Sequence, residues 1–200
     1  AKPRRALATV AGVPVRADAF SKMLAYTRLN LENNRSQITQ QMASLGSSTT
    51  DKDTLQYITQ YYQQQLEYID TQLENAPAQV LQDMIDDELV RQETTRLNLA
   101  VSEQEITDEI EIQFGFDRNP PTPTPTPVTA TLPITVTPTP TLAPMTEEEF
   151  KTRFGETLTF LGDEVGFSEA EVRNLFRNDL LRRKLQEREP SVLLHPVDWH

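Results

Sequence analysis

Two acidic clusters are the first residues whose types and spacing could do chemistry: Asp86-Asp87-Glu88, and the group Glu103, Glu105, Asp108 and Glu109. Paired carboxylates serve general acid–base catalysis or hold a divalent cation. Neither cluster has a glycine-turned loop or a histidine beside it, and carboxylates at helical spacing next to an apolar stripe read as a solvated face. His195-x-x-Asp198-x-His200 offers two kinds of metal ligand, but so short a tail lacks a second element to complete four-coordination. Cysteine is absent, which removes thiolate nucleophiles, thiolate metal sites and disulfides. No Gly-rich phosphate loop, Ser/His/Asp set or His-Glu-x-x-His pair occurs. The residues therefore point to no catalytic group, no metal and no cofactor within this chain.

Aromatic residues are the other candidates. Tyr57, Tyr61 and Tyr68 step by four and seven among Gln56, Gln60 and Gln63–Gln65, so they share one flank of a helix, while Tyr62 belongs to its packing seam. Rings that tolerate both water and apolar partners suit a promiscuous peptide surface. Phe114, Phe116, Phe160 and Phe167 fall near helix ends and join the same list of candidate polypeptide contacts. The plainer alternative is that all of them rim a core.

The balance of charge narrows the partners. Nineteen basic and thirty acidic side chains give a net charge of −11, the wrong field for a nucleic acid. The excess is uneven: residues 1–35 carry seven basic and two acidic groups, and 51–118 carry four against sixteen. An acidic middle would speed the capture of basic partners in a salt-dependent way. With 37% apolar residues, a core can form only from well-placed stripes. No apolar run approaches the roughly 18–20 residues of a membrane span. The abrupt basic start, Lys2, Arg4 and Arg5, leaves room for an N-terminal anchor preceding this sequence.

These candidates need elements to position them. Residues 6–15, ALATVAGVPV, are two β-branched arms around Ala11-Gly12, which predicts a small hairpin or a bent edge strand. From Ala17 the period turns helical, with Leu24, Leu31, Ile38 and Leu45 at sevens, and Phe20 and Met42 on the same face, up to Gly46. A second helix follows SSTTD, its seam running through Leu55, Ile58, Tyr62, Leu66, Ile69 and Leu73. Two seams joined by a short polar loop predict an antiparallel helical hairpin. Pro77 sits where a first-turn proline belongs, so a third, core helix is expected through Val80, Leu81, Met84, Ile85, Leu89 and Val90, closed by Asn98. Ser102-x-x-Glu105, Thr146-x-x-Glu149 and Ser168-x-x-Glu171 are capping boxes for three more helices. Gly162 and Gly166 are expected to break the middle one. Arg182, Arg183, Lys184 and Arg188 fall in the last turns of the final helix, in the sense its dipole favours. Ser191–Leu194 reads as a short returning strand beside Leu7–Val10.

Between Arg118 and Glu147 no residue is charged, and nine of the fourteen prolines alternate with nine threonines within 120–144. Such a segment builds no packed core and favours extended polyproline II. Closing it as a loop costs only about 3 kcal/mol by the logarithmic length law. It reads as a spacer, O-glycosylated if exported, rather than an SH3 or WW ligand, since it lacks flanking Arg or Lys. The expected organisation is one helical domain over 6–188 with a discontinuous core, 6–116 and 146–188. Residues 117–145 form an insertion, and 189–200 a tail or a link onward.

Three stretches, ATVAGVPVRADAFSKML, VLQDMIDDELVRQETTRLNLAVSEQEITDEI (80–110) and MTEEEFKTRFGETLTFLGDEVGFSEAEVRNLFRNDLLRRKLQE (145–187), resemble the N-terminal chaperone domain of SurA/PrsA-like foldases. The resemblance implies a mainly α fold with a small N-terminal β element. It also implies ATP-independent binding of unfolded or newly exported polypeptides and a location outside the cytoplasmic membrane; on physical grounds such segments are expected in an exposed cradle between the helical hairpin and the third or final helix. Peptidyl-prolyl isomerase activity would belong to a parvulin domain following His200. The rival expectation is a helical spacer whose seams are satisfied by a second copy in a homodimer.

Overall fold

The computed structural model describes residues 5–45, 52–118 and 145–188. It is mainly helical, with one small antiparallel sheet at the N-terminus. Strands β1 (Ala6–Val10) and β2 (Val13–Arg16) pair from Val10 opposite Val13 outward. Ala11 and Gly12 both take positive φ, 46° and 89°, the requirement of a two-residue type I′ turn. Only Gly12 meets it without a Cβ penalty.

Helix α1 (Ala17–Leu45) follows β2 without a loop and packs along α2 (Lys52–Arg96). Arg35 and Asp70 bridge the two at 2.9 Å, and Ile38 and Ile69 are the buried residues between them. One expectation fails here. Pro77 does not open a new helix but lies inside α2, which runs on unbroken for 45 residues. A proline in a helix interior removes one ladder hydrogen bond and crowds the preceding turn, a cost of about 3 kcal/mol. Against it stands a single buried line, Ile69, Ala76 and Val80, each at most 3% exposed, on both sides of the proline. Burying an Ile or Val side chain contributes about 1.5–3 kcal/mol, so keeping the line intact outweighs the missing bond. Of the apolar set expected at the core, Val80 and Val90 are buried, whereas Leu89 is 50% exposed.

Helix α2 closes at Asn98, with φ 53°, and the chain turns into α3 (Glu103–Gln113). Capping boxes start α3 at Ser102, α4 (Glu147–Val165) at Thr146 and α5 (Glu169–Arg188) at Ser168. Helix α4 passes through Gly162, contrary to the expected break, and ends only at Gly166, whose φ of 74° makes the left-handed cap. The backbone there also turns close. A side chain at 162 would meet the Phe167 carbonyl at 3.5 Å, because the Phe167 N–H donates back to Leu161.

Three apolar clusters tie α4 and α5 to the rest. Leu161, Val165, Phe167 and Val172 pack on Met23, Tyr26 and Leu29 of α1. Val90 of α2 meets Leu181 and Leu185 of α5. Ile106 and Ile110 of α3 meet Phe150 of α4. Residues on both sides of the Thr/Pro segment thus share one core. Most of that segment (119–144), the Ser191–Leu194 strand and the His195/Asp198/His200 set lie outside the described residues.

Candidate functional site

The acidic clusters are a solvated face only in part: Glu103 is exposed and Glu105 half-exposed, while Asp87 and Glu109 are largely covered, and each of these four is paired with a cation of α5. Asp87 accepts from Arg182 at 2.7 Å and from Asn178 at 2.9 Å, joining α2 to α5. On α3, Glu103 pairs with Arg173 and Arg177, Glu105 with Lys184 at 2.5 Å, and Glu109 with Arg183 at 2.6 Å. The basic end of α5 therefore docks onto carboxylates of α2 and α3, besides sitting well for its own dipole. Hydrogen bonds from Lys184, and from the Ser102 backbone and hydroxyl, hold the Glu105 carboxyl at a pKa of about 2. Arg183 lowers Glu109 against the cost of burial, and Arg173 and Arg177 lower Glu103. Among the described residues no group of His, Asp or Glu side chains is arranged to hold a metal ion. No helix among them is long and apolar enough to cross a membrane.

A groove of about 320 Å³ lies where β2, the start of α1, the second half of α2 and the start of α5 converge. Its floor is apolar: Val15 from β2, Met23 from α1, Met84 from α2, and Phe167 and Leu175 from the α4–α5 corner and α5. Two of the chain's four methionines meet here. Unbranched, polarizable thioethers adapt to irregular apolar shapes, as promiscuous binding surfaces require. The size is at the lower end of ligand pockets, which run about 300–1,000 Å³, and holds one or two side chains rather than a long segment.

Ion pairs fix the rim. Lys22 of α1 bridges to Glu171 of α5 at 2.8 Å, and Glu171 also closes the Ser168 capping box. Burial pushes the Glu171 carboxyl up, but Lys22 and the Ser168 cap together outweigh it and leave it below its ordinary value. On α2, Glu88 accepts from Arg91 at 2.6 Å and from Gln92 at 2.7 Å, and Gln92 also donates to the Val10 carbonyl. The hairpin is thereby tied to α2, and β2 becomes a fixed wall.

The seven aromatic candidates divide into four sets. Tyr57, Tyr61 and Tyr68 are 74%, 52% and 64% exposed and lie on one stripe of α2, about 16 Å long at 1.5 Å per residue. They stand on the part of α2 that precedes the groove and line none of it. Phe114 and Phe116 are half-buried in a ring cluster with Phe150 and Phe154, at centroid distances of 5.3–5.9 Å. Phe160 is exposed on α4, near Phe114 across a shallow depression. Phe167 is 6% exposed and packs on Tyr26 at 5.4 Å; it belongs to the core and offers only an edge to the groove. The sequence reading did not single out Met23, Val15 or Arg16. They come together because α1 starts directly from β2 and α2 continues past Pro77, neither of which is a local property of those residues.

No protein-family model, curated protein or solved structure matches this chain. The fold class, mainly α with an N-terminal β hairpin, rests on the architecture itself.

Proposed function

We propose that this chain is an ATP-independent holding module for unfolded or newly exported polypeptides. In this reading it is the N-terminal part of a SurA/PrsA-like foldase acting outside the cytoplasmic membrane. The observation that carries the reading is the groove floored by Met23, Met84 and Leu175, walled by elements that ion pairs hold in place. Its lining comes from β2, the start of α1, the second half of α2 and α5 with the α4–α5 corner, so several elements can meet one bound segment. A rigid wall with an adaptable floor binds short apolar segments weakly, at a Kd on the order of micromolar, about −8 kcal/mol. Weak, reversible capture spares a client from aggregation without the energy of a nucleotide. The Thr/Pro-rich composition of 120–144 supports an envelope location, since such stalks are rare in cytosolic chains. Isomerase chemistry, where the parent protein has it, belongs to a parvulin domain and not to these residues.

The test is light scattering from a chemically denatured client diluted into buffer with near-stoichiometric chain and no ATP. Suppressed scattering is expected, and Met84→Glu should weaken it while leaving the circular dichroism spectrum unchanged. A folded wild-type chain that leaves aggregation untouched sinks the reading. The exposed stripe of Tyr57, Tyr61 and Tyr68 favours a second reading, a helical spacer that pairs with another copy of itself. Mass that rises with concentration across the micromolar range would support that reading.

A further inference from the structure

We infer that the groove selects client segments in which a carboxylate stands next to the apolar residue, with Arg16 as the residue that sets this preference. The inference rests on the holding role proposed above and names the class of segment held.

The chain is strongly acidic, and the groove is lined by three carboxylates, Asp87, Glu88 and Glu171. A preference for basic segments would be the first guess. Each carboxylate, however, already has its cation: Arg182 for Asp87, Arg91 for Glu88 and Lys22 for Glu171, at 2.6–2.8 Å. Asn178, Gln92 and Ser168 donate further hydrogen bonds to them. Arg16 completes the lining from β2 and has no ion-pair partner among the described residues. Counting the lining with its partners, Arg16, Arg91, Arg182 and Lys22 face Asp87, Glu88 and Glu171, four cations to three carboxylates. The local balance is opposite in sign to that of the whole chain.

A client lysine in the groove would compete with a resident cation at every carboxylate, and at Asp87 and Glu171 that cation joins α5 to α2 or to α1. A client Asp or Glu would find Arg16 unengaged. Arg16 is exposed at the edge of the apolar floor, open to an incoming segment, and a guanidinium can take a carboxylate by two parallel bonds. Main-chain pairing contributes little to the choice, because Pro14 leaves the bordering strand short of an N–H donor. The long-range field of −11 opposes acidic segments, but at 0.15 M salt it decays over about 8 Å, and contact at the groove decides.

Fluorescence anisotropy on the full chain tests this, using labelled peptides that share a Leu-Met-Phe centre flanked by Asp, Gln or Lys at 0.15 M salt. The Asp-flanked peptide should bind about tenfold more tightly than the Lys-flanked one. Arg16→Glu should abolish or invert that order, Arg16→Lys should keep most of it, and both variants should keep the wild-type circular dichroism spectrum. Equal binding of all three peptides overturns the inference and leaves the holding role standing. An order unchanged by Arg16→Glu removes Arg16 from the role. If no peptide binds while scattering is still suppressed, the groove is not the client site and the inference fails alone. If neither is seen, the holding role fails with it.

Discussion

The part of the molecule where α5 crosses α2 and α3 differs from the paired distal halves of α1 and α2 in how it is held. At the crossing, Val90, Leu181, Leu185, Ile106 and Ile110 are buried, and five carboxylate–cation pairs cross between helices. Along the distal pair, burial falls to Ile38 and Ile69 with half-exposed neighbours, one exposed ion pair joins the helices, and three tyrosines face water. Both regions are built of α-helices. What separates them is the number of partners each helix has: α2 packs on α1 alone distally, and on α1, α5 and the hairpin further along. A two-helix layer leaves one face of each helix open, so an open face is inherent in the arm and not a defect of packing.

The largest test of this contrast is truncation of one isoleucine in each region. Ile106 is 0% exposed and Ile38 is 7% exposed. Ile106→Ala should cost about 3–4 kcal/mol, and Ile38→Ala, whose surroundings can collapse, about 2 kcal/mol, near the lower end for such changes. Chemical denaturation followed by circular dichroism measures both, and equal costs would show that the arm is as tightly built as the crossing.

Charge reversal probes the same crossing with a smaller effect. Arg183 faces Glu109 and Asp179, so Arg183→Glu should lower stability by about 1 kcal/mol, as expected for partly exposed pairs. Adding Glu109→Arg should restore part of the loss. If the double variant is merely the sum of the singles, this pair is not coupled and contributes nothing to the crossing.

Much of this architecture is legible in the sequence where a local rule decides it. Ala11-Gly12 gives the turn, Ser102, Thr146 and Ser168 give three helix starts, and Asn98 gives a helix end, because each is settled by a few neighbouring backbone groups. Pro77 and Gly162 mislead for the opposite reason: both carry a local penalty that buried neighbours override. The pairing of Asp87, Glu103 and Glu109 is not legible because their cations lie 70 or more residues away along the chain, beyond any window of helical spacing. The groove was legible only as a place between elements; its methionine floor and Arg16 depend on how β2, α1, α2 and α5 meet.

Acid should loosen the crossing before the arm. Glu103, Glu105 and Glu109 have folded pKa values below their ordinary 4.5, with Glu105 at about 2. For depressed carboxylates the unfolded chain binds more protons as pH falls, so their contribution is whole above about pH 5 and is lost between there and about pH 2. The melting temperature should be flat from pH 8 to 5.5 and fall steadily below that, and 0.5 M salt should shrink the fall. The arm's ion pair, Arg35 with Asp70, is about half exposed on both sides, and such pairs contribute little to stability. Lines from the crossing should therefore broaden first in an NMR titration, and a fall led by the arm would reverse the comparison.

The smallest effect on stability carries the sharpest functional contrast. Tyr57, Tyr61 and Tyr68 are each more than half exposed, and exposed side chains away from special features change stability by no more than about 0.5 kcal/mol each when replaced. Replacing all three by serine should therefore leave the denaturation midpoint close to wild type. If the stripe touches clients, the same variant should lose a large part of its suppression of scattering while its groove still binds the Asp-flanked peptide, separating a weak outer surface from a shaped inner site. If suppression is untouched and concentration-dependent mass disappears instead, the open face of the arm serves a second copy of the chain. Unchanged suppression with unchanged mass would leave the tyrosines as rim residues of a two-helix layer, and would put all client contact at the groove, where three layers of structure converge.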